Sequence, residues 1–113
     1  MYITYIVRNL HPNMITSISS IAEYNEITSK ERCVIDCKTD WCGPCQTIFP
    51  KFEKLSKLYP NWKFYRIDCE EHKDVADKEQ ITGFPTFIFF EDGEKTKVIR
   101  GADIHALEDK LSS

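Results

Sequence analysis

Apolar and polar residues follow two different patterns along this chain, and these patterns predict strands that alternate with helices. Residues 33–38 and 86–90 are short, largely apolar runs rich in β-branched or aromatic side chains, as in buried strands. Elsewhere apolar residues recur every three or four positions, as on one face of a helix. The predicted elements are strand 14–18, helix 21–29, strand 33–38, helix 43–59, strand 62–68, helix 70–79, strand 86–90, strand 95–100 and a final helix around residues 104–111.

The same spacing assigns side chains to faces. In strand 33–38, alternation separates a face of Cys33, Ile35 and Cys37 from a face of Val34, Asp36 and Lys38. In helix 43–59, the expected buried face consists of Cys45, Ile48, Phe49, Phe52, Leu55 and Leu58. Strands that alternate with helices, followed by a hairpin and a closing helix, predict an α/β fold. We expect a central mixed β-sheet flanked by helices on both faces, in the order βαβαβαββα.

The length of 113 residues fits one domain with a core of its own. We expect that domain to occupy residues 13–113. Residues 1–12 stand apart as a short N-terminal extension. The sequence does not decide whether this extension adds an edge strand or forms an arm.

Composition and charge exclude several classes of protein. The formal net charge of −3 argues against a nucleic-acid binder that relies on phosphate contacts. The apolar run at residues 1–7 is too short to span a membrane, and it lacks the basic region and cleavage site of a signal peptide. Five cysteines, an odd number without regular spacing, do not suggest a secreted disulfide framework. We therefore expect a cytoplasmic protein in a reducing compartment.

The candidate chemistry lies in Cys42 and Cys45, which are separated by Gly43 and Pro44 and preceded by Trp41. They stand where strand 33–38 gives way to helix 43–59, so the first thiol meets the unpaired N–H groups of a helix start. A thiolate in that position has a lowered pKa and is a good nucleophile. The pair is therefore predicted to be a reversible dithiol/disulfide centre.

A zinc site or a purely structural disulfide is the alternative for these cysteines. Cys33, Cys37, Cys42 and Cys45 fall within thirteen residues, which on paper resembles a zinc cluster. The spacing argues against zinc, because a zinc knuckle needs a tight turn inside each ligand pair, whereas Cys33 and Cys37 share one face of a strand. We expect no metal.

Over about residues 14–112 the chain resembles the thioredoxin family. The resemblance rests on the run from Trp41 to Cys45, Asp36, Pro50, Phe84-Pro85-Thr86, Gly93 and Gly101. A lone Cys-X-X-Cys is a modest signal. The Gly-Pro dipeptide, the preceding Trp and the later Pro-Thr before a strand make it strong.

The resemblance implies specific roles. Cys42 would attack a client disulfide, Cys45 would resolve the mixed disulfide, and Asp36 would shuttle a proton to and from Cys45. A buried Asp36 would have a raised pKa, and the alternative is a partly exposed Asp bonded to backbone. Pro85 would be cis. The residues expected to outline the substrate-binding patch are Trp41, Gly83, Phe84, Pro85 and Ala102.

Three departures from the family pattern accompany the resemblance. Lys38 stands where an aromatic residue is usual, and Phe64 stands where a buried lysine often accompanies the Asp, with Lys63 pointing the other way. Cys37 and Cys69 are additional thiols. Each is either a small core residue or, for Cys69 at a strand end, an exposed and oxidisable one.

The function implied is a protein-disulfide reductase, a monomer with no bound cofactor beyond its redox-active disulfide. Its partners would be disulfide-containing client proteins and a thioredoxin reductase that supplies electrons from NADPH. The Gly-Pro dipeptide favours reduction over the oxidising end of the family. Two alternatives stay open: a disulfide oxidant or isomerase, and a thioredoxin-like binding or chaperone module with a silent dithiol.

Overall fold

The computed structural model describes residues 15–113, and its elements confirm the predicted order. They are β1 (Ile15–Ser17), α1 (Ile21–Lys30), β2 (Cys33–Lys38), α2 (Gly43–Leu58), β3 (Lys63–Asp68), α3 (Lys73–Lys78), β4 (Thr86–Glu91), β5 (Glu94–Arg100) and α4 (Ile104–Ser112). The predicted extension at residues 1–12 and the first residue of the predicted strand 14–18 lie outside the described residues.

The strands form one mixed sheet in the order β1-β3-β2-β4-β5. Strand β3 runs parallel to both β1 and β2, whereas β4 runs antiparallel to β2 and β5. Strand β2 is therefore central and has a neighbour on each side. Its register places Asp36 beside Arg66 of β3 and beside Phe87 of β4.

Each face of the sheet carries its own hydrophobic core, which confirms helices on both faces. The core on the side of α2 and α4 includes Val34, Ile48, Phe52, Leu55, Phe64, Phe87, Phe89 and Leu107. The core on the side of α1 and α3 includes Tyr24, Cys33, Ile35, Cys37, Ile67, Cys69, Val75 and Ile88. The predicted alternation in strand 33–38 is thus confirmed, because Val34 and its even-spaced neighbours face α2.

Helix α2 has the predicted amphipathic face except at its last residue. Ile48, Phe52 and Leu55 are buried, and Phe49 is half-buried against the same core. Leu58 was expected to be buried, and this prediction is wrong, because its side chain is 65% exposed. The helix ends there, and the half-buried Tyr59 packs against that core instead.

Candidate active site

A disulfide joins Cys42 and Cys45, whose Cα atoms are 5.3 Å apart. Cys42 is the N-cap of α2, and its Sγ accepts a hydrogen bond from the Cys45 backbone N–H at 3.1 Å. Pro44 stands in the first turn, where a missing N–H costs no helical hydrogen bond. Once the disulfide is reduced, the same N–H and the helix start stabilise a thiolate on Cys42. The local geometry therefore suits a thiol that is both a nucleophile and a leaving group.

Asp36 lies on the central strand with a side chain that is 0% exposed. Burial raises the pKa of its carboxyl to about 6, although the charges of Arg66 and Lys38 act in the opposite direction. Among residues 15–113, neither carboxylate oxygen accepts a hydrogen bond. The alternative of a partly exposed Asp bonded to backbone is thus wrong. A carboxyl that titrates near pH 6 can take and return a proton close to neutrality.

The cation nearest to Asp36 is one that sequence reasoning missed. Arg66 Nη2 lies 3.8 Å from Asp36 Oδ2, and its guanidinium stacks 3.8 Å above the ring of Phe49 on α2. Phe64 stands where a lysine is usual and Lys63 is predicted to point away, and the sequence pattern predicted no role for Arg66. Its position two residues beyond Phe64, on the same face of the strand, was the available signal.

Lys38 is held by two carboxylates beside the site. Its Nζ lies 2.7 Å from Asp40 Oδ1 and 3.7 Å from Asp68 Oδ2. The hydrogen bond from Lys38 holds the pKa of Asp40 below its usual range. Lys38 also lowers the pKa of Asp36, though less than Arg66 does. The unusual cation is therefore part of a local charge network, in which most of its charge is balanced.

Two of the residues expected to outline the substrate patch, Trp41 and Phe84, are in contact. Trp41, which is 68% exposed, packs edge-on against Phe84 with ring centroids 6.0 Å apart, and its indole N–H donates to Glu70. The Phe84–Pro85 peptide bond is cis, as the resemblance implied, and Pro85 is buried. The Gly101 N–H donates to the Pro85 carbonyl at 2.8 Å, which brings the loop before α4 next to this proline.

The two remaining members of the predicted patch, Gly83 and Ala102, are both exposed. The Gly83 carbonyl accepts a hydrogen bond from Thr86 Oγ1 at 2.7 Å, which fixes the turn into β4. Ala102 lines the same groove as Gly43 and Pro44. Ala102 therefore lies near the residues between the two cysteines, whereas Trp41 directly precedes Cys42.

The three other cysteines are free thiols in the core on the α1 side. Cys69 is buried, so the alternative of an exposed, oxidisable thiol at this position is wrong. A hydrogen bond with Cys69 and burial raise the pKa of Cys37 well above its usual range. Burial raises the pKa of Cys33 to about 12. Thiols with such pKa values are poor nucleophiles at neutral pH.

Two further findings concern metals and membranes. Within residues 15–113, no group of three or more His, Cys, Asp and Glu side chains is placed to hold a metal ion. Cys33 and Cys37 belong to the core on the α1 side, while Cys42 and Cys45 are joined to each other. In this same part of the chain, no helix has the length and apolar character needed to cross a bilayer.

Comparison with known proteins gives a consistent picture. A family model described as Thioredoxin matches residues 16–113. Thioredoxin AMT13 of Alternaria alternata is 40% identical over 99 residues, which are 86% of this chain and 84% of that protein. Thioredoxin-1 of Saccharomyces cerevisiae is 32% identical over 101 residues, covering 88% and 98%. The crystal structure of oxidised mitochondrial thioredoxin 3 from Saccharomyces cerevisiae superposes with a TM-score of 0.83 at 33% identity, covering 87% and 93%.

Proposed function

The chain belongs to the thioredoxin family. From this premise we propose which residue carries out each step of disulfide exchange. It is a thiol-disulfide oxidoreductase whose redox centre is the Cys42–Cys45 pair. In the proposed reaction the reduced pair reduces disulfide bonds in client proteins. The observation that carries the proposal is a disulfide at the start of α2, the helix that packs on the face of β2 to which the buried Asp36 belongs.

The first proposed step is attack by Cys42. Its thiolate forms a bond to one sulfur of the client disulfide, and the other client sulfur leaves as a thiolate. The product is a mixed disulfide between Cys42 and the client. The helix-start position of Cys42 and the Cys45 N–H directed at its sulfur support this assignment, since both stabilise the anion.

The second proposed step is resolution by Cys45. Asp36 accepts the Cys45 proton, and the Cys45 thiolate attacks the Cys42 sulfur. The Cys42–Cys45 disulfide forms, and the second client sulfur leaves as a thiolate. The client has gained two electrons and the chain has lost two. Burial of Asp36 on the α2 side of the sheet and a pKa of about 6 support this role.

Client binding is proposed for the patch of Trp41, Gly83, Phe84, Pro85 and Ala102. The exposed indole of Trp41 offers apolar area beside the disulfide, and its contact with Phe84 fixes the ring. Gly83 and Ala102 are small and exposed, so a client backbone can approach closely there. The patch is shallow, as expected for a surface that must accept many client sequences.

We also propose the direction and setting of the reaction. The Gly-Pro dipeptide, in place of a histidine that would stabilise the thiolate, favours a reducing protein. A thioredoxin reductase would then recharge the pair with electrons from NADPH, and the chain would act as a monomer in the cytoplasm. Three free buried thiols beside one disulfide support a reducing compartment.

The experiment that tests the proposal is reduction of insulin disulfides with dithiothreitol as the electron source. The wild-type chain is expected to accelerate insulin precipitation strongly. Cys42→Ser is expected to abolish the acceleration, and Cys45→Ser is expected to trap a mixed disulfide with insulin. Equal acceleration by the doubly substituted protein would overturn the proposal in favour of a binding module with a silent dithiol.

A further inference from the structure

A groove of about 510 Å³ begins at the reactive disulfide and runs along the first turns of α2. Its lining includes Pro44, which lies between the two cysteines, and Ala102, which precedes α4. The floor is apolar, formed by the buried Ile48 and the half-buried Ile104. Any polypeptide joined to Cys42 through a mixed disulfide must pass over this end of α2, so the groove lies within its reach.

A single cation stands at the rim of this groove. Lys51 lines it from the third turn of α2 and is exposed. Within residues 15–113 no carboxylate forms an ion pair with Lys51. Its ammonium is therefore available to a charge on a bound molecule.

The opposite side of the disulfide carries the opposite charge. Exposed Asp40, whose carboxylate pairs with Lys38, precedes Trp41, and Glu70, just after β3, accepts the Trp41 indole N–H. Because β3 and β5 lie on opposite sides of the central β2, Glu70 and the Ala102 end of the groove flank the disulfide from different sides. A client segment that crosses the disulfide thus meets carboxylates on one side and Lys51 on the other.

We propose that this groove binds the client polypeptide on one side of its reactive cysteine and selects acidic sequences there. An apolar client side chain lies against Ile48 and Ile104, and a neighbouring client carboxylate pairs with Lys51. The occupant is an extended, disulfide-bonded segment with an apolar and an acidic residue near its cysteine. The inference rests on the proposed reduction of client disulfides and adds a sequence preference to it.

The test compares two disulfide-linked synthetic peptides that differ only in one residue near the cysteine, glutamate in one and lysine in the other. The second-order rate constant for their reduction by the pre-reduced protein is measured by stopped flow at low and high salt. The wild-type chain is expected to reduce the acidic peptide about 2- to 5-fold faster at low salt, the range of a single exposed ion pair. Added salt is expected to shrink the difference.

The matched variants are Lys51→Glu and Lys57→Glu. Both change the net charge equally, and Lys57 is exposed on the same helix but does not line the groove. Lys51→Glu is expected to reverse the peptide preference, whereas Lys57→Glu is expected to keep it. Replacing the apolar peptide residue by glycine is expected to slow reduction by the wild-type chain. Equal rates for both peptides, or an equal effect of the two lysine variants, would overturn the inference.

Hydroxyethyl disulfide, a small uncharged substrate, serves as the internal reference. The rate of each variant with a peptide is divided by its rate with this disulfide, so that an effect of the substitution on the thiols themselves cancels. If the wild-type chain reduces neither this disulfide nor either peptide, the proposed function is overturned, and the groove inference with it.

Discussion

The Arg66 guanidinium lies 3.8 Å from the buried carboxylate of Asp36, on the neighbouring strand and in direct register with it. The same guanidinium stacks on Phe49 of the helix that carries Cys45. This contact supplies a positive charge to a carboxyl whose pKa burial raises. Arg66 therefore lowers the pKa of Asp36. It supplies this charge from residue 66, whereas residue 64, where a lysine is usual, is a phenylalanine.

Replacement of Arg66 by glutamine is expected to raise the pKa of Asp36 by about 1 unit, because an opposite charge that stabilises the carboxylate is lost. The measurement is a carbon-13 NMR titration of the Asp36 carboxyl in the oxidised protein, where Cys42 and Cys45 do not titrate. The wild-type midpoint is expected at about 6. Arg66→Lys is expected to stay close to that value.

A matched control is available in Arg32, whose guanidinium stacks 4.0 Å above Trp62 and pairs with Glu91. Arg32→Gln also removes an arginine that stacks on an aromatic ring, but Arg32 does not pair with Asp36. This variant is therefore expected to leave the midpoint of the Asp36 titration unchanged. An identical midpoint in Arg66→Gln and in the wild type would show that Arg66 does not tune this carboxyl.

Asp36→Asn is expected to slow reduction of insulin at pH 7 by about 10-fold or more, since a positioned proton acceptor is lost. The loss should fall on the second step only. In a Cys45→Ser background, the rate of mixed-disulfide formation by Cys42 is therefore expected to be the same with and without the Asp36→Asn substitution. Asp40→Asn, at an exposed position, is the control. Unchanged insulin turnover in Asp36→Asn would contradict the proton-shuttle role.

The same substitution has an expected effect on stability. The pKa of Asp36 is about 6 in the fold against 3.8 for the free side chain, so the folded state binds this proton more tightly. The contribution of Asp36 to stability is therefore fully present below about pH 4 and is lost as the pH rises through about 6. A difference of about 2 pKa units corresponds to about 3 kcal/mol.

Urea unfolding of the oxidised proteins checks this effect. Asp36→Asn is expected to be more stable than the wild type by up to about 3 kcal/mol at pH 7 and close to it at pH 4. In the difference between the two proteins, the pH-dependent contributions of the other carboxyls to stability cancel. A stability difference that does not change between pH 4 and pH 7 would mean that Asp36 is not a titrating buried group.

Local pattern predicted the elements of this fold well, because alternation in β2 and the three-to-four spacing in α2 reflect burial directly. Local pattern could not predict the contacts that depend on strand register. Arg66 faces Asp36 only because β2 and β3 pair in parallel with these two residues opposite each other. The sequence signal for this cation, a position two residues beyond Phe64 on the same face of β3, does not by itself give the register, so no role was predicted for Arg66.

Burial at the ends of elements was the other limit. Leu58 keeps the periodic spacing of α2 but is the last helical residue, and Tyr59 packs against the core in its place. Cys69 follows the end of β3, yet its N–H donates to the Lys38 carbonyl and its side chain is buried beside Cys37. Whether a terminal residue points inward depends on the neighbouring strand and helix, which periodicity does not describe.

The burial of the extra thiols leads to a prediction about their reactivity. In the reduced native protein at pH 7, iodoacetamide is expected to modify Cys42 first, because the helix start stabilises its thiolate even though its side chain is only 4% exposed. Cys33, Cys37 and Cys69 are expected to react only after unfolding, because burial withholds them from the reagent and raised pKa values keep Cys33 and Cys37 protonated. Peptide mass spectrometry of timed samples gives the order. Early modification of Cys69 would contradict its buried position.

The central claim is that the Cys42–Cys45 pair works as a reductant of client proteins. Its most direct test is the reduction potential of the pair, measured by equilibration with glutathione redox buffers and quantification of the oxidised and reduced forms. The account predicts a strongly reducing value of about −270 mV, as is known for thioredoxin. A value between about −180 and −120 mV, the range known for protein disulfide isomerase and DsbA, would contradict it and identify the chain as a disulfide oxidant or isomerase.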